Sequence, residues 1–209
     1  MSVEEFANTV THGFGLLLSI LGFIGLVTIA IVNGGKLLTI SFVIYGLSLV
    51  ILYAASTSYH STTSPELKRK LQVLDHCGIY LLIAGSFTPF GLLVLGGTTL
   101  GTGLLVAIWT LAICGIASKL LLGNRFTAIA VVSYVVMGWL GVLGIQPIFE
   151  TLGIVAASLA VAGGISYTVG VIFFAWTRLP HNHAIFHVFV LLGSILHYAA
   201  VVFYVRPMS

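Results

Sequence analysis

Apolar runs of about 20 residues recur from one end of this chain to the other, and a helix of that length matches the roughly 30 Å hydrocarbon core of a bilayer. Lipid offers the backbone no hydrogen-bond partners, so segments that cross it must be helices or strands of a closed barrel. The runs here are too long and too uniformly apolar for the alternating pattern of barrel strands. Of the 209 residues, 59% are hydrophobic and 6% charged, against about 25% charged in an ordinary soluble domain. The sequence therefore predicts an all-α integral membrane protein.

Polar and Gly/Pro clusters divide the apolar sequence into seven expected spans, at 11–32, 38–59, 74–95, 100–121, 127–146, 152–176 and 184–204. The intervening stretches, among them STTSPELKRKLQ at 61–72 and QPIFET at 146–151, are too short to hold a folded domain. No internal repeat or low-complexity linker interrupts the pattern, so residues 1–209 read as a single seven-helix transmembrane domain. Within residues 3–10, Val3, Phe6, Ala7 and Val10 form an apolar stripe beside the polar Glu4, Asn8 and His12, which predicts a short interfacial helix before the first span. Glu4 and Glu5, with no nearby Lys or Arg, give this end the wrong charge for a secretory signal peptide.

Seven crossings place Lys68, Arg69, Lys70, Lys119, Arg125 and Arg178 on one side and only Lys36 and Arg206 on the other. Positive residues accumulate on the cytoplasmic side, so the amino terminus is expected inside and the carboxyl terminus outside. The net charge of +3 is spread over the loops without a basic stripe, which argues against nucleic acid as a partner. Cys77 and Cys114 both fall within expected spans and read as small buried hydrophobes rather than a disulfide. Pro89, with Gly85, is expected to kink the third helix, and the Gly163-Gly164 pair and Gly170 to allow close packing of the sixth.

Ionisable groups at membrane depth are costly and usually face the bundle interior with a partner. On the predicted topology, the end of the second span (Ser56 to His60), the start of the third (Asp75) and the start of the seventh (His183 to His187) all meet at the cytoplasmic leaflet. His183 and His187 are four residues apart, on one helical face about 6 Å from each other, and His60 can add a third imidazole. Three neutral imidazoles suit Zn2+ and leave a fourth tetrahedral position open for water, the arrangement of catalytic rather than structural zinc. Asp75 is the natural carboxylate to orient a metal-bound water, and Ser56 lies one turn deeper than His60 on the same face. His12 is a candidate to line the same cavity. His76 and His181 are expected outside the ligand set. His197, about 15 Å deeper than His187 by helical rise, is expected to make an interhelical hydrogen bond.

Several motifs together resemble those of the hemolysin III proteins, within the wider progestin and adipoQ receptor family that includes the adiponectin receptors. They are Glu4-x-x-x-Asn8-x-x-x-His12-Gly13, Ser56-x-x-x-His60, Leu74-Asp75-x-x-Gly78-Ile79 leading to Gly85-Ser86-Phe87-Thr88-Pro89, and His183-x-x-x-His187 followed by His197-Tyr198. The resemblance spans essentially the whole chain. It implies a seven-helix bundle with zinc held by His60, His183 and His187 near the cytoplasmic surface, and with Asp75 and Ser56 near a metal-bound water. It also implies a zinc-dependent hydrolase of lipid amides or esters, ceramide-like in class, with a role in membrane lipid homeostasis at the bacterial inner membrane. Its bacterial branch is named for lysis of red cells, so a membrane-active cytolysin or pore is the competing expectation, and a non-catalytic zinc-stabilised regulator a third. A membrane lipid is the expected partner. The outer loops of a few residues leave little surface for a protein hormone.

The charge distribution predicts a labelling pattern. A tag at the amino terminus should react with an impermeant reagent only after the membrane is opened, and a carboxyl-terminal tag from the outside of intact cells. The reverse labelling would invert the assigned orientation.

Overall fold

The computed structural model describes residues 2–205, so Arg206, counted above on the outer side, lies outside the described residues. The described chain is helical throughout, with no strand. Its helices are α1 (Val3–Asn33), α2 (Lys36–Ser61), α3 (Pro65–Pro89), α4 (Thr99–Leu122), α5 (Thr127–Trp139), α6 (Ile145–Ala175) and α7 (Asn182–Ala200). Short π-helical turns extend α3 over Phe90–Val94 and α7 over Val201–Val205, and a 3-10 segment, Leu140–Gly144, joins α5 to α6. Six stretches of the described chain are long and apolar enough to cross a membrane, Thr127–Ala175 counting as one. Large apolar side chains cover the outside, Leu121 being 83% exposed and Val32 77%, which is the surface expected of a protein whose solvent is lipid.

Three expected boundaries move. Residues 3–10 do not form a separate interfacial helix but the first turns of the continuous α1. Ser2 caps that helix by accepting a hydrogen bond from the Glu5 N–H at 3.2 Å, Glu4 and Glu5 favour its positive end, and no Gly or Pro interrupts it before Gly13. Residues 65–72 of the stretch read as loop at 61–72 are the start of α3: Ser64 caps it, Pro65 occupies its first turn, and Glu66 follows. QPIFET is helical as well, because Pro147 falls in the first turn of α6, where its missing N–H has no intrahelical acceptor to lose. The chain departs from helical geometry instead at Gly153, whose φ of 82° and ψ of 176° lie in a region open essentially to glycine alone.

Helices α1, α2 and α3 pack side by side, α6 packs on α7, and α7 returns against α1. Gly78 and Gly85, seven residues apart on α3, let α2 approach at Leu52 and Ser48, which is where a Cβ would collide. Pro89 cannot donate to its helix, and the register loosens just beyond it, where Leu95 N–H reaches back five residues to the Phe90 carbonyl at 2.9 Å. Polar side chains tie helices together: Tyr53 donates to Ser194 at 2.9 Å, Trp109 to Thr88 at 3.1 Å and Trp139 to Thr168 at 3.0 Å. Such bonds average roughly 0.6 kcal/mol each in membrane bundles. Both cysteines are free. Cys77 is buried as expected, whereas Cys114 is on the outer, lipid-facing surface of α4. Lys119, grouped above with cytoplasmic surface charge, is 4% exposed and its ammonium has no hydrogen-bond partner among the described residues.

At Gly153 an added Cβ would meet no atom within 4 Å, so a substitution there tests backbone conformation without a packing change. Gly153→Ala should destabilise the detergent-solubilised protein by about 1–3 kcal/mol, read as a lower thermal midpoint. An unchanged midpoint would mean that the break in the 127–175 stretch does not need a glycine.

Candidate metal centre

His60 ends α2, and His183 and His187 occupy the first turns of α7, one above the other. The contact between α1 and α7 and the α1–α2–α3 packing bring these ends together. One ring nitrogen from each histidine lies within 4.8 Å of the others. Ring centroids are 5.0 Å apart for His60 and His187, 5.0 Å for His60 and His183, and 4.6 Å for His183 and His187. His60 is 3% exposed and His187 1%.

Hydrogen bonds at two of the rings set which nitrogen carries the proton. His60 Nδ1 is 2.7 Å from Glu5 Oε2, so it donates its proton to that carboxylate and leaves Nε2 bare; Nε2 is buried and has no partner among the described residues. His187 Nδ1 is 3.3 Å from Thr11 Oγ1. The Thr11 hydroxyl donates to the carbonyls of Ala7 and Asn8, so its oxygen accepts from the imidazole, which makes Nε2 the unprotonated nitrogen of that ring. An imidazole whose outer nitrogen is held by a carboxylate or hydroxyl and whose inner nitrogen is bare is the usual form of a histidine metal ligand. His60 Nε2 is buried and unpartnered among the described residues, and one nitrogen from each of the three rings lies close to the others, so the set fits a metal ion and the three residues could hold one.

Other expected residues gather around the trio. Ser56 is fully buried, and its Oγ lies 2.7 Å from His12 Nδ1 and close enough to the Asp75 carboxyl to interact with it. His12 stacks on His187 with centroids 3.4 Å apart and planes 16° from parallel, and meets Tyr53 edge-on at 5.0 Å. His12, Asp75, His183 and His187 line one end of a cavity that runs between α3, α5, α6 and α7. Its wall is mainly apolar and extends past Phe87 and Phe90 on α3 and as far as His197 on α7. Asp75 to Phe90 alone corresponds to about 22 Å of helix.

His76, placed outside the ligand set, lines the cavity without joining the trio. His181 stays apart from the trio too, and serves α7 through its backbone: φ of 57° makes it a left-handed cap whose carbonyl accepts from Ile185 N–H at 3.0 Å. The expected interhelical bond of His197 is present, its Nε2 facing the Ala160 carbonyl of α6 at 3.0 Å, with Gly163 leaving room for the ring.

Sequence reasoning missed Glu5 and Thr11. It grouped Glu4 with Asn8 and His12 by spacings of four, yet Glu4 is exposed and Glu5 faces the histidines. At 3.6 residues per turn, Glu5 lies about 20° from His12 around the helix and Glu4 about 80°, so a seven-residue spacing carried the signal. Thr11 had no comparable signature.

Fold and site together define a multi-pass helical membrane protein with a largely buried cluster of three histidines beside one end of an apolar cavity. The chain matches the family model described as "Haemolysin-III related" over residues 2–198. It is 47% identical to Hemolysin-3 of Bacillus cereus over 204 residues, 98% of this chain and 93% of that protein. It is 30% identical to the human monocyte to macrophage differentiation factor over 207 residues, covering 95% and 83%. It is 29% identical to the rice heptahelical transmembrane protein ADIPOR2 over 152 residues, covering 61% and 65%. The chain belongs to the haemolysin-III related family.

Replacing His187 by alanine should remove the metal from purified protein: elemental mass spectrometry is expected to find about one ion per wild-type chain and essentially none in the variant. Equal content in both would separate the trio from any bound metal.

Proposed function

We propose that the protein is a zinc-dependent intramembrane hydrolase that cleaves an amide or ester in a membrane lipid. The observation that carries this reading is that three clustered histidines include two, His183 and His187, that line a long apolar cavity at the same end as the Asp75 carboxyl. An acyl chain lying in that cavity would present its carbonyl to the histidine end, which gives a hydrolytic site a reason to sit inside a bilayer. His60, His183 and His187 would hold the ion. Zinc, when bound, supplies a water of lowered pKa and polarises the carbonyl.

The remaining chemistry belongs to the chain. The Asp75 carboxylate at the histidine end of the cavity accepts the proton of the attacking water and returns it to the leaving amine or alcohol. Ser56, held by His12, keeps the Asp75 carboxyl in place and donates to it or to the developing oxyanion. The apolar wall excludes bulk water from everything but this end.

The same reading places the chain in the bacterial inner membrane with seven crossings, amino terminus inside. A single helix over the 49 residues of Thr127–Ala175 would be about 74 Å long, more than twice the hydrocarbon core, and Gly153 supplies a break between two crossings. The word heptahelical in the rice relative's name agrees with that count. An aqueous cytolytic pore would need a polar face along its path, which the mainly apolar cavity wall does not offer.

Asp75→Asn decides between a hydrolase and a zinc-stabilised regulator. The variant should keep its zinc but lose hydrolysis of a ceramide-like amide by on the order of 10²–10⁴-fold, as when a positioned proton-transfer group is removed. A fully loaded wild type that hydrolyses no lipid amide or ester would overturn the hydrolase and leave the regulator.

A further inference from the structure

The carboxylate behind His60 is tied on both of its oxygens. Glu5 Oε2 lies 2.7 Å from His60 Nδ1, and Glu5 Oε1 lies 2.8 Å from Lys68 Nζ on the first turns of α3. One side chain of α1 thereby joins the end of α2 to the start of α3. Glu5 is 28% exposed at its side chain, while the imidazole it touches is 3% exposed. The charge therefore stands at the rim and its hydrogen bond points inward.

We propose that Glu5 is the positioning residue of the metal centre: it fixes His60 in the tautomer that presents Nε2 and strengthens that nitrogen as a donor. The inference rests on the metal-site part of the proposed function, though not on hydrolysis. Three observations carry it. The ring has only two nitrogens, and with Nδ1 committed to Glu5 the bare Nε2 is the only one that can face His183 and His187. Glu5 is behind the ring, on the side away from Nε2, so it acts through the imidazole rather than as a ligand. Among the described residues, this is the only hydrogen bond of the trio to an ionised group, since His187 is held by the neutral hydroxyl of Thr11. A charged acceptor strengthens both the hydrogen bond and the basicity of the far nitrogen.

The effect is read on zinc affinity, measured by competition with a chelator on full-length protein in detergent, and on the visible absorption of the cobalt-loaded protein, which reports ligand geometry. Glu5→Gln keeps the size and a hydrogen-bonding oxygen but removes the charge. It is expected to weaken metal binding by about 10–100-fold and to alter the cobalt bands. Glu5→Asp, which withdraws the carboxylate by one methylene, should weaken it too and provides a second variant if the glutamine protein fails to fold. Lys68→Met breaks the tie to α3 while sparing the His60 bond, and Glu4→Gln changes an exposed neighbour; both should bind zinc as the wild type does.

Wild-type affinity in Glu5→Gln and Glu5→Asp would overturn this inference and leave the hydrolase reading intact. An equal loss in Lys68→Met would overturn it as well, by making Glu5 a structural tie between helices. A wild type that binds no metal would remove the metal site itself, and both proposals with it.

Discussion

Hydrocarbon cannot hydrogen-bond, and nearly every feature of this protein follows from that. Backbone groups must pair within their own segment, so the described chain is helical from Val3 onward. Side chains are sorted by the same rule in reverse of a soluble protein: Leu121, Val32 and Ile31 point outward, while Ser41, Ser48, Ser56 and the histidines turn in. The buried serines of α2 satisfy themselves locally, Ser41 and Ser48 donating to carbonyls three residues back, and so cost the bundle little.

Against that background the polar cluster at the ends of α2 and α7 is expensive, and it is organised so that most of its cost is met. Glu5 holds His60, Thr11 holds His187, and His12 joins Ser56 while stacking on His187. Within the cluster, His60 Nε2 and His12 Nε2 are buried without a partner among the described residues. The outer nitrogens of His60 and His187 are both held by side chains of α1, Glu5 and Thr11. The first turns of α1, which composition alone marks as an amphipathic lead-in, are in this sense part of the site.

The positions that misled sequence reasoning share one physical cause. Loop-like composition does not prevent a helix when its start is well capped, as Ser64-Pro65-Glu66 caps α3, or when its proline falls in the first turn, as Pro147 does in α6. Nor does a charge near a predicted boundary guarantee a surface position: Lys119 sits one turn from the end of α4 and yet turns into the bundle. Side-chain direction depends on the rotation of each helix about its axis, which neighbouring helices set.

What the sequence determined by itself is the solvent and the inventory. Runs of apolar residues impose lipid-embedded helices, and the scarcity of ionisable groups makes His60, Asp75, His183 and His187 stand out by residue type and position along the chain. The i, i+4 spacing of His183 and His187 fixes their mutual position, because that distance is local to one helix. The tertiary structure alone decided the rest: that His60 closes on that pair, that Glu5 rather than Glu4 backs it, that Thr11 and His12 pack against His187, and that an apolar cavity opens beside them. Those relations join residues as many as 176 positions apart, Thr11 and His187 among them, and depend on how separate helices are rotated and packed.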